Sequence, residues 1–292
     1  MEQYINDFIK YLEEVKQSSK NTLQAYQNDL KKLQLFLEKH NINLVTKISE
    51  TSLNSYILSL EKEGLSPASV SRNIAAIKSF LLYLIKHGQL SGEDPSERIK
   101  PPKVPKKSPQ IINTSLVDKL LQQPDKHSKK GIRDRAMLEL LYATGIKVSE
   151  LLSMKETDIN LSGRYITCGD KRERNIPIGK SAKAALQEYL SIRSVNFNKK
   201  DSDILFLNSS GEKLSRQGLW KILKIYAKLA GIEDINPNAI RHSFAAHMID
   251  NGADLGSVQE FLGHADITTT QLYLTQSYKN SREVYMNTHP RA

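Results

Sequence analysis

With 292 residues, 39% of them hydrophobic and 25% charged, the chain is long enough for two domains; it has no apolar run of bilayer length, and Met1-Glu2-Gln3-Tyr4 is not a secretory start. Its single cysteine, Cys168, excludes an internal disulfide and suits a reducing compartment, so a cytoplasmic location is expected. The formal net charge of +10 lies almost wholly in the second part, since residues 1–102 hold 13 basic against 12 acidic side chains, and such a surface favours nucleic acid first and an acidic membrane second.

The first hundred residues read as four amphipathic helices. Tyr4, Ile5, Phe8, Ile9 and Leu12 share one face; Leu23, Tyr26, Leu30, Leu33 and Leu37 form a second stripe, and Leu53, Tyr56, Ile57 and Leu60 a third. A fourth helix starts at the cap Ser66 and first-turn Pro67, and carries Val70, Ile74, Ile77, Leu81 and Leu84 up to Gly88. Short breaks between stripes predict a compact bundle over residues 1–99. The polar faces carry Lys20, Arg72 and Lys78, each a candidate phosphate contact, although a solvated surface charge explains any one of them as well.

Residues 100–109 contain four prolines and four lysines, which rules out helix and predicts an extended basic linker. Its Lys103, Lys106 and Lys107 suit a strap along a nucleic acid, though inert linkers share this composition. A second domain over residues 110–292 follows. Helical patterns dominate it, among them 181–194, 215–230 and 241–251. The exception is 163–178, where β-branched and aromatic residues flank a Gly169-Asp170 turn and predict a hairpin.

Three signals stand close together near the end of the chain. Asn238-Ala-Ile-Arg241-His242 opens a helix behind Asn236-Pro237, Leu262-Gly263-His264 closes a turn, and Thr268-Thr-Thr-Gln-Leu-Tyr273 follows. Met singly, Arg241 is a surface ion-pair partner, His264 a helix cap and Tyr273 a core residue. Were a tyrosine oxygen to attack a phosphodiester, charge would build on the non-bridging oxygens, and fixed cations and donors would have to hold it. Arg241 and His264 are of the right kind. The departing sugar oxygen needs a proton, for which Lys171, on the hairpin, is the candidate donor.

In order and spacing these motifs resemble the tyrosine recombinases, the family of lambda integrase and the bacterial Xer proteins. Thr144-Gly145-Ile-Lys147-Val-Ser149-Glu150-Leu151 looks like the first catalytic box, Leu262-Gly-His264 with Thr269-Thr-Gln-Leu-Tyr273 looks like the last, and the ending His289-Pro-Arg-Ala292 is similar to that of the Xer branch. The resemblance covers the whole chain. It implies a mainly α fold, with an amino-terminal four-helix SAM-like core-binding domain and an α-helical catalytic domain carrying a small β-hairpin. It also implies a site-specific DNA recombinase with chemistry like that of type IB topoisomerases, in which Tyr273 forms a 3'-phosphotyrosyl link without metal or cofactor. Four protomers, alike or paired with a XerC-like recombinase, would act on a roughly palindromic duplex site. The tail from Ser277 to Ala292 would dock on a neighbour or pack on its own domain. Chromosome dimer resolution during cell division, with a DNA translocase, is the implied process, and a mobile-element integrase is the alternative.

The chain departs from the family at three positions. Lys147 stands where arginine is usual, keeping the charge but losing the planar two-pronged contact. Asn238 replaces a histidine, so it donates a hydrogen bond but shuttles no proton near neutral pH. Gly169 occupies the usual lysine position, with Lys171 two residues on and therefore on the same strand face. A further reading follows: a DNA-binding protein derived from a recombinase and catalytically weak. Tyr278 rivals Tyr273 as nucleophile, but only Tyr273 lies nine residues after His264 in the Thr-Thr-Gln-Leu context. RNA or membrane binding has little support, because neither an aromatic stacking motif nor a basic amphipathic membrane helix is evident.

Overall fold

A computed structural model describes residues 1–104, 108–169, 173–196 and 203–263. The chain divides into two compact units, Met1–Lys107 and Ser108–Ala292.

In the first unit, α1 (Glu2–Glu14), α2 (Lys20–Lys39), α3 (Glu50–Lys62) and α4 (Pro67–Lys86) form the four-helix bundle that the stripes predict. Ser19, Ser49 and Ser66 cap the last three by accepting from backbone N–H groups at Thr22, Ser52 and Ser69. Pro67 follows the last cap, where its missing N–H costs nothing. The predicted faces are the core: Ile5, Phe8, Leu30, Leu33, Leu53, Tyr56, Ile77 and Leu84 are buried together. One expectation needs correcting. α4 has 20 residues, and an 18-residue window within it has a mean hydropathy of 1.2, so by length and composition it does match a membrane-spanning helix. Eight of its residues, Asn73 included, are buried in the bundle, which accounts for its apolarity.

Asn73 belongs to a buried polar group. Tyr56 donates to its side-chain oxygen at 3.0 Å, and Arg72 grips the buried Asp29 through Nε and Nη2 at 2.8 and 2.9 Å. Burial, then the charge of Asp29, pushes the Tyr56 hydroxyl well above its ordinary pKa, so it remains a donor.

The second unit contains α5 (Thr114–Gln122), α6 (Lys129–Thr144), α7 (Val148–Ser153), α8 (Lys180–Asn196), α9 (Arg216–Leu229), α10 (Pro237–Asp250) and α11 (Leu255–Leu262). The predicted hairpin is β2 (Tyr165–Cys168) with β3 (Arg174–Pro177), paired from Tyr165 with Pro177 to Cys168 with Arg174. A two-residue strand, β1 (Ile159–Asn160), which the sequence did not announce, adds to β2 and extends the hairpin to a small three-stranded antiparallel sheet. α6 is buried nearly all round, and its Arg133 and Asp134 pair inside the core, where Arg133 reaches the Leu207 carbonyl and Asp134 accepts from Tyr226 of α9. This satisfied pair ties α6, the 205–207 segment and α9 together.

Candidate nucleic-acid cleavage site

Arg241 lies in the second turn of α10. Asn236 caps that helix by accepting from the Ala239 N–H at 2.9 Å, and Pro237 opens it. Ser243, one face away, accepts from the Ile112 N–H and donates to the Ala239 carbonyl, which pins the start of the unit onto α10. The helix is therefore held from both sides where Arg241 projects.

Arg241 is buried, at 7% exposure, and its guanidinium is satisfied by backbone: Nη1 donates to the Gly145 carbonyl at 2.7 Å and Nη2 to the Leu262 carbonyl at 2.8 Å. One guanidinium thus joins the first box, the α10 motif and the Leu-Gly-His motif, although Gly145 lies 96 residues away and Leu262 lies 21. Gly145 ends α6 in the left-handed region, at φ 61°, and a Cβ there would stand 2.3 Å from Phe244 Cδ1. Only glycine lets the box approach α10 this closely.

Two residues beyond Gly145, Lys147 is exposed at the N-cap of α7, and its backbone N–H donates to Glu150 Oε2 at 2.8 Å. Glu150 also takes a two-pronged contact from Arg174 at 3.0 and 2.9 Å, while Arg174 Nε donates to the Phe261 carbonyl at 2.8 Å. Burial pushes the Glu150 carboxyl up, but the bonds from Arg174 and Lys147 outweigh it and hold the group below the usual carboxylate range. Burial, reinforced by Arg241, keeps the neighbouring His242 below the ordinary imidazole value and hence neutral at pH 7. Cys168, at the end of β2, is buried, which pushes its thiol up to about 11.

The structure therefore brings together the Lys147 segment, Arg241 and the residues that immediately precede His264. Asn238 is exposed in the first turn of α10, three residues before Arg241. Lys171, His264 and Tyr273 lie outside the described residues, as do Lys106, Lys107 and the tail. Of the other candidate phosphate contacts, Lys20 and Lys103 are exposed, Lys78 donates to the Glu97 carbonyl at 3.2 Å, and Arg72 is engaged by Asp29. A cavity of about 630 Å³ lined by Glu139, Tyr142, Phe244 and His247 lies elsewhere in this unit; Lys147, Asn238 and Arg241 do not line it. Glu150 falls within the first box and Arg174 within the predicted hairpin, but neither motif marks them as partners. Their pairing across 24 residues leaves no local signal.

Comparison with known proteins gives the family. The phage integrase family model matches residues 110–280, and the phage integrase N-terminal SAM-like domain model matches residues 5–88. The chain belongs to the tyrosine recombinases of the phage integrase family. It is a XerD-like site-specific recombinase: it is 42% identical over 299 residues to tyrosine recombinase XerD of Listeria innocua, all of both chains being covered. It is also 42% identical to tyrosine recombinase XerC of Herpetosiphon aurantiacus, over 94% of this chain and 90% of the relative. A solved structure of the XerH site-specific recombinase bound to a palindromic difH substrate, a post-cleavage complex, shares the fold; its TM-score is 0.76 at 23% identity, with 97% of this chain and 84% of that one covered.

Proposed function

We propose that the chain cuts and rejoins duplex DNA at a specific, roughly palindromic site, with Tyr273 as nucleophile. The phenol gives up its proton to water as its oxygen attacks the scissile phosphorus, the P–O5' bond breaks, and the 5'-oxygen leaves with a proton from Lys171. Arg241, Lys147 and His264 hold the charge that develops on the non-bridging oxygens, and Asn238 adds a hydrogen bond. The 3'-phosphotyrosyl link conserves the bond energy, so a 5'-hydroxyl from a second duplex reverses the reaction without ATP. The observation that carries this reading is the single guanidinium of Arg241, bound to both Gly145 and Leu262. It supports one phosphate site built from three segments.

The match to curated XerD and XerC relatives supports the wider reading, in which four protomers, alike or paired with a XerC-like recombinase, resolve chromosome dimers with a DNA translocase. The cytoplasm, on the nucleoid, is the corresponding location. The basic linker, with Lys103, Lys106 and Lys107, and the exposed Lys20 of the bundle are the proposed contacts to the DNA backbone. Lys147 and Asn238 favour a second reading, a recombinase-derived protein that binds its site with weak or no cleavage. A mobile-element integrase is the alternative within the family.

A nicked suicide duplex separates the enzyme from the binding protein. Its site is selected from random-sequence duplexes by binding to the chain, and the nick traps the cleaved strand. The enzyme reading predicts a covalent protein–DNA adduct that Tyr273→Phe abolishes while site binding persists. Site-specific binding with no adduct from the unaltered chain would favour the binding protein.

A further inference from the structure

One arginine outside the proposed phosphate cations joins the segments that carry them. Arg174, the first residue of β3, donates from Nε to the Phe261 carbonyl and from Nη1 and Nη2 to the two oxygens of Glu150. Glu150 in turn accepts from the backbone of Lys147. Phe261 and Leu262 are the last two residues of α11, and their carbonyls go to Arg174 and Arg241 respectively. The sheet, the N-terminus of α7 and the C-terminus of α11 are thus held through one side chain.

The fit around that side chain is close. The Arg174 and Glu150 side chains are only 11% and 15% exposed. α11 ends at Gly263 with φ 62°, and a Cβ there would stand 2.9 Å from Arg174 Cζ and Nη1, so the turn leading to His264 is shaped around the guanidinium. All three nitrogens of Arg174 donate to protein acceptors, and Glu150 balances its charge. With its charge taken up by Glu150, Arg174 is placed to hold structure. A buried ion pair is by itself weak evidence for anything but itself; here, however, Glu150 sits on the segment that bears Lys147, and Arg174 also holds Phe261, next to the Leu262 carbonyl that takes Arg241.

We propose that Arg174 is a positioning residue for strand cleavage: through Glu150 and Phe261 it sets the spacing of Lys147 and Arg241 so that both reach the non-bridging oxygens of one phosphate. This rests on the reading that those cations hold the scissile phosphate. Misplacing such groups by about an ångström costs on the order of a hundredfold in rate. Lysine has one donor centre in place of three and satisfies Glu150 or the Phe261 carbonyl, not both.

The test uses the full chain, with Arg174→Lys and Arg174→Ala variants, and measures single-turnover adduct formation, DNA affinity and thermal melting. Two suicide duplexes are compared, one with the natural scissile phosphate and one with a neutral methylphosphonate there, its position taken from the adduct of the unaltered chain. The expected result on phosphate is cleavage slowed roughly ten- to a hundredfold, with affinity unchanged within about threefold. On methylphosphonate the charge that the cations must hold is largely gone, so the gap closes to less than about threefold. Equal slowing on both duplexes, an unchanged rate on phosphate, or loss of cooperative melting in both variants overturns the proposal. An unaltered chain that forms no adduct sinks the proposed function, and this inference with it; normal cleavage by all three proteins sinks only the inference.

Discussion

Replacing Gly145 with alanine tests how closely the first box must approach α10. The residue sits at φ 61°, and the added Cβ would lie 2.3 and 2.8 Å from Phe244 Cδ1 and Cε1 and 3.0 Å from Leu262 Cδ2. Left-handed backbone costs a non-glycine residue roughly 1–2 kcal/mol. Forcing an extra methyl into a packed core adds about 1–3 kcal/mol. Phe244 is 6% exposed and belongs to the small core with Ala245, Val258 and Leu262, so it has little room to swing away. The sum, about 2–5 kcal/mol, corresponds to a fall of roughly 4–20 °C in the melting temperature of a unit of this size. The Gly145 carbonyl moves with the strain, so Arg241 loses its alignment and cleavage falls as well. Differential scanning calorimetry reads the first effect and the suicide-duplex assay the second. Gly179→Ala is the control: nothing lies within 4 Å of its Cβ position, and since Gly179 only opens α8, where its carbonyl accepts from the Lys183 N–H, the change should cost no more than about 1 kcal/mol. A Gly145→Ala variant that melts within about 2 °C of the parent would refute the reasoning, since even the low end of that sum predicts more.

Lys147→Arg restores the planar fork at an exposed position and should raise the single-turnover cleavage rate several-fold, with little change in site affinity; a slower or unchanged rate would mean that Lys147 does not face the phosphate. Glu150→Gln should lower the melting temperature at pH 7. The folded Glu150 carboxyl titrates below its unfolded value, so its contribution is present above the unfolded pKa and is lost as pH falls through the folded one. The two melting curves should therefore converge on acidification, and a constant gap from pH 7 down past the carboxylate range would contradict the pairing. With its thiol near 11 and only 8% of its surface exposed, Cys168 should resist iodoacetamide at pH 8 in the native chain and react once unfolded. Rapid labelling of the native protein would show that the end of β2 opens.

The bundle was legible because each of its helices buries one stripe, and a period of 3.6 residues reveals which one. α6 was not, because Gly131, Arg133, Asp134 and Thr144 are buried beside Ala136, Leu138 and Leu141, and a helix covered on all sides shows no polar face. The hairpin announced itself through Gly169 and the β-branched residues around it, whereas β1, with two residues, is too short for a pattern. At the site, Lys147, Arg241 and the Leu262-Gly263 turn were readable as motifs. Their junction was not, because it runs through backbone carbonyls at Gly145 and Leu262, and any residue supplies a carbonyl. Arg72 shows the converse: the sequence marks a cation, and only the fold discloses that Asp29, 43 residues earlier, engages it.

Peptide mapping of the covalent adduct tests the central claim most directly. After trapping on the suicide duplex and proteolysis, mass spectrometry should place the nucleotide remnant on Tyr273, with adduct yield falling on the order of a hundredfold or more in Arg241→Ala, as for loss of a charge-stabilising donor. A remnant on Tyr278, or an Arg241→Ala variant that cleaves as fast as the parent, would contradict the account.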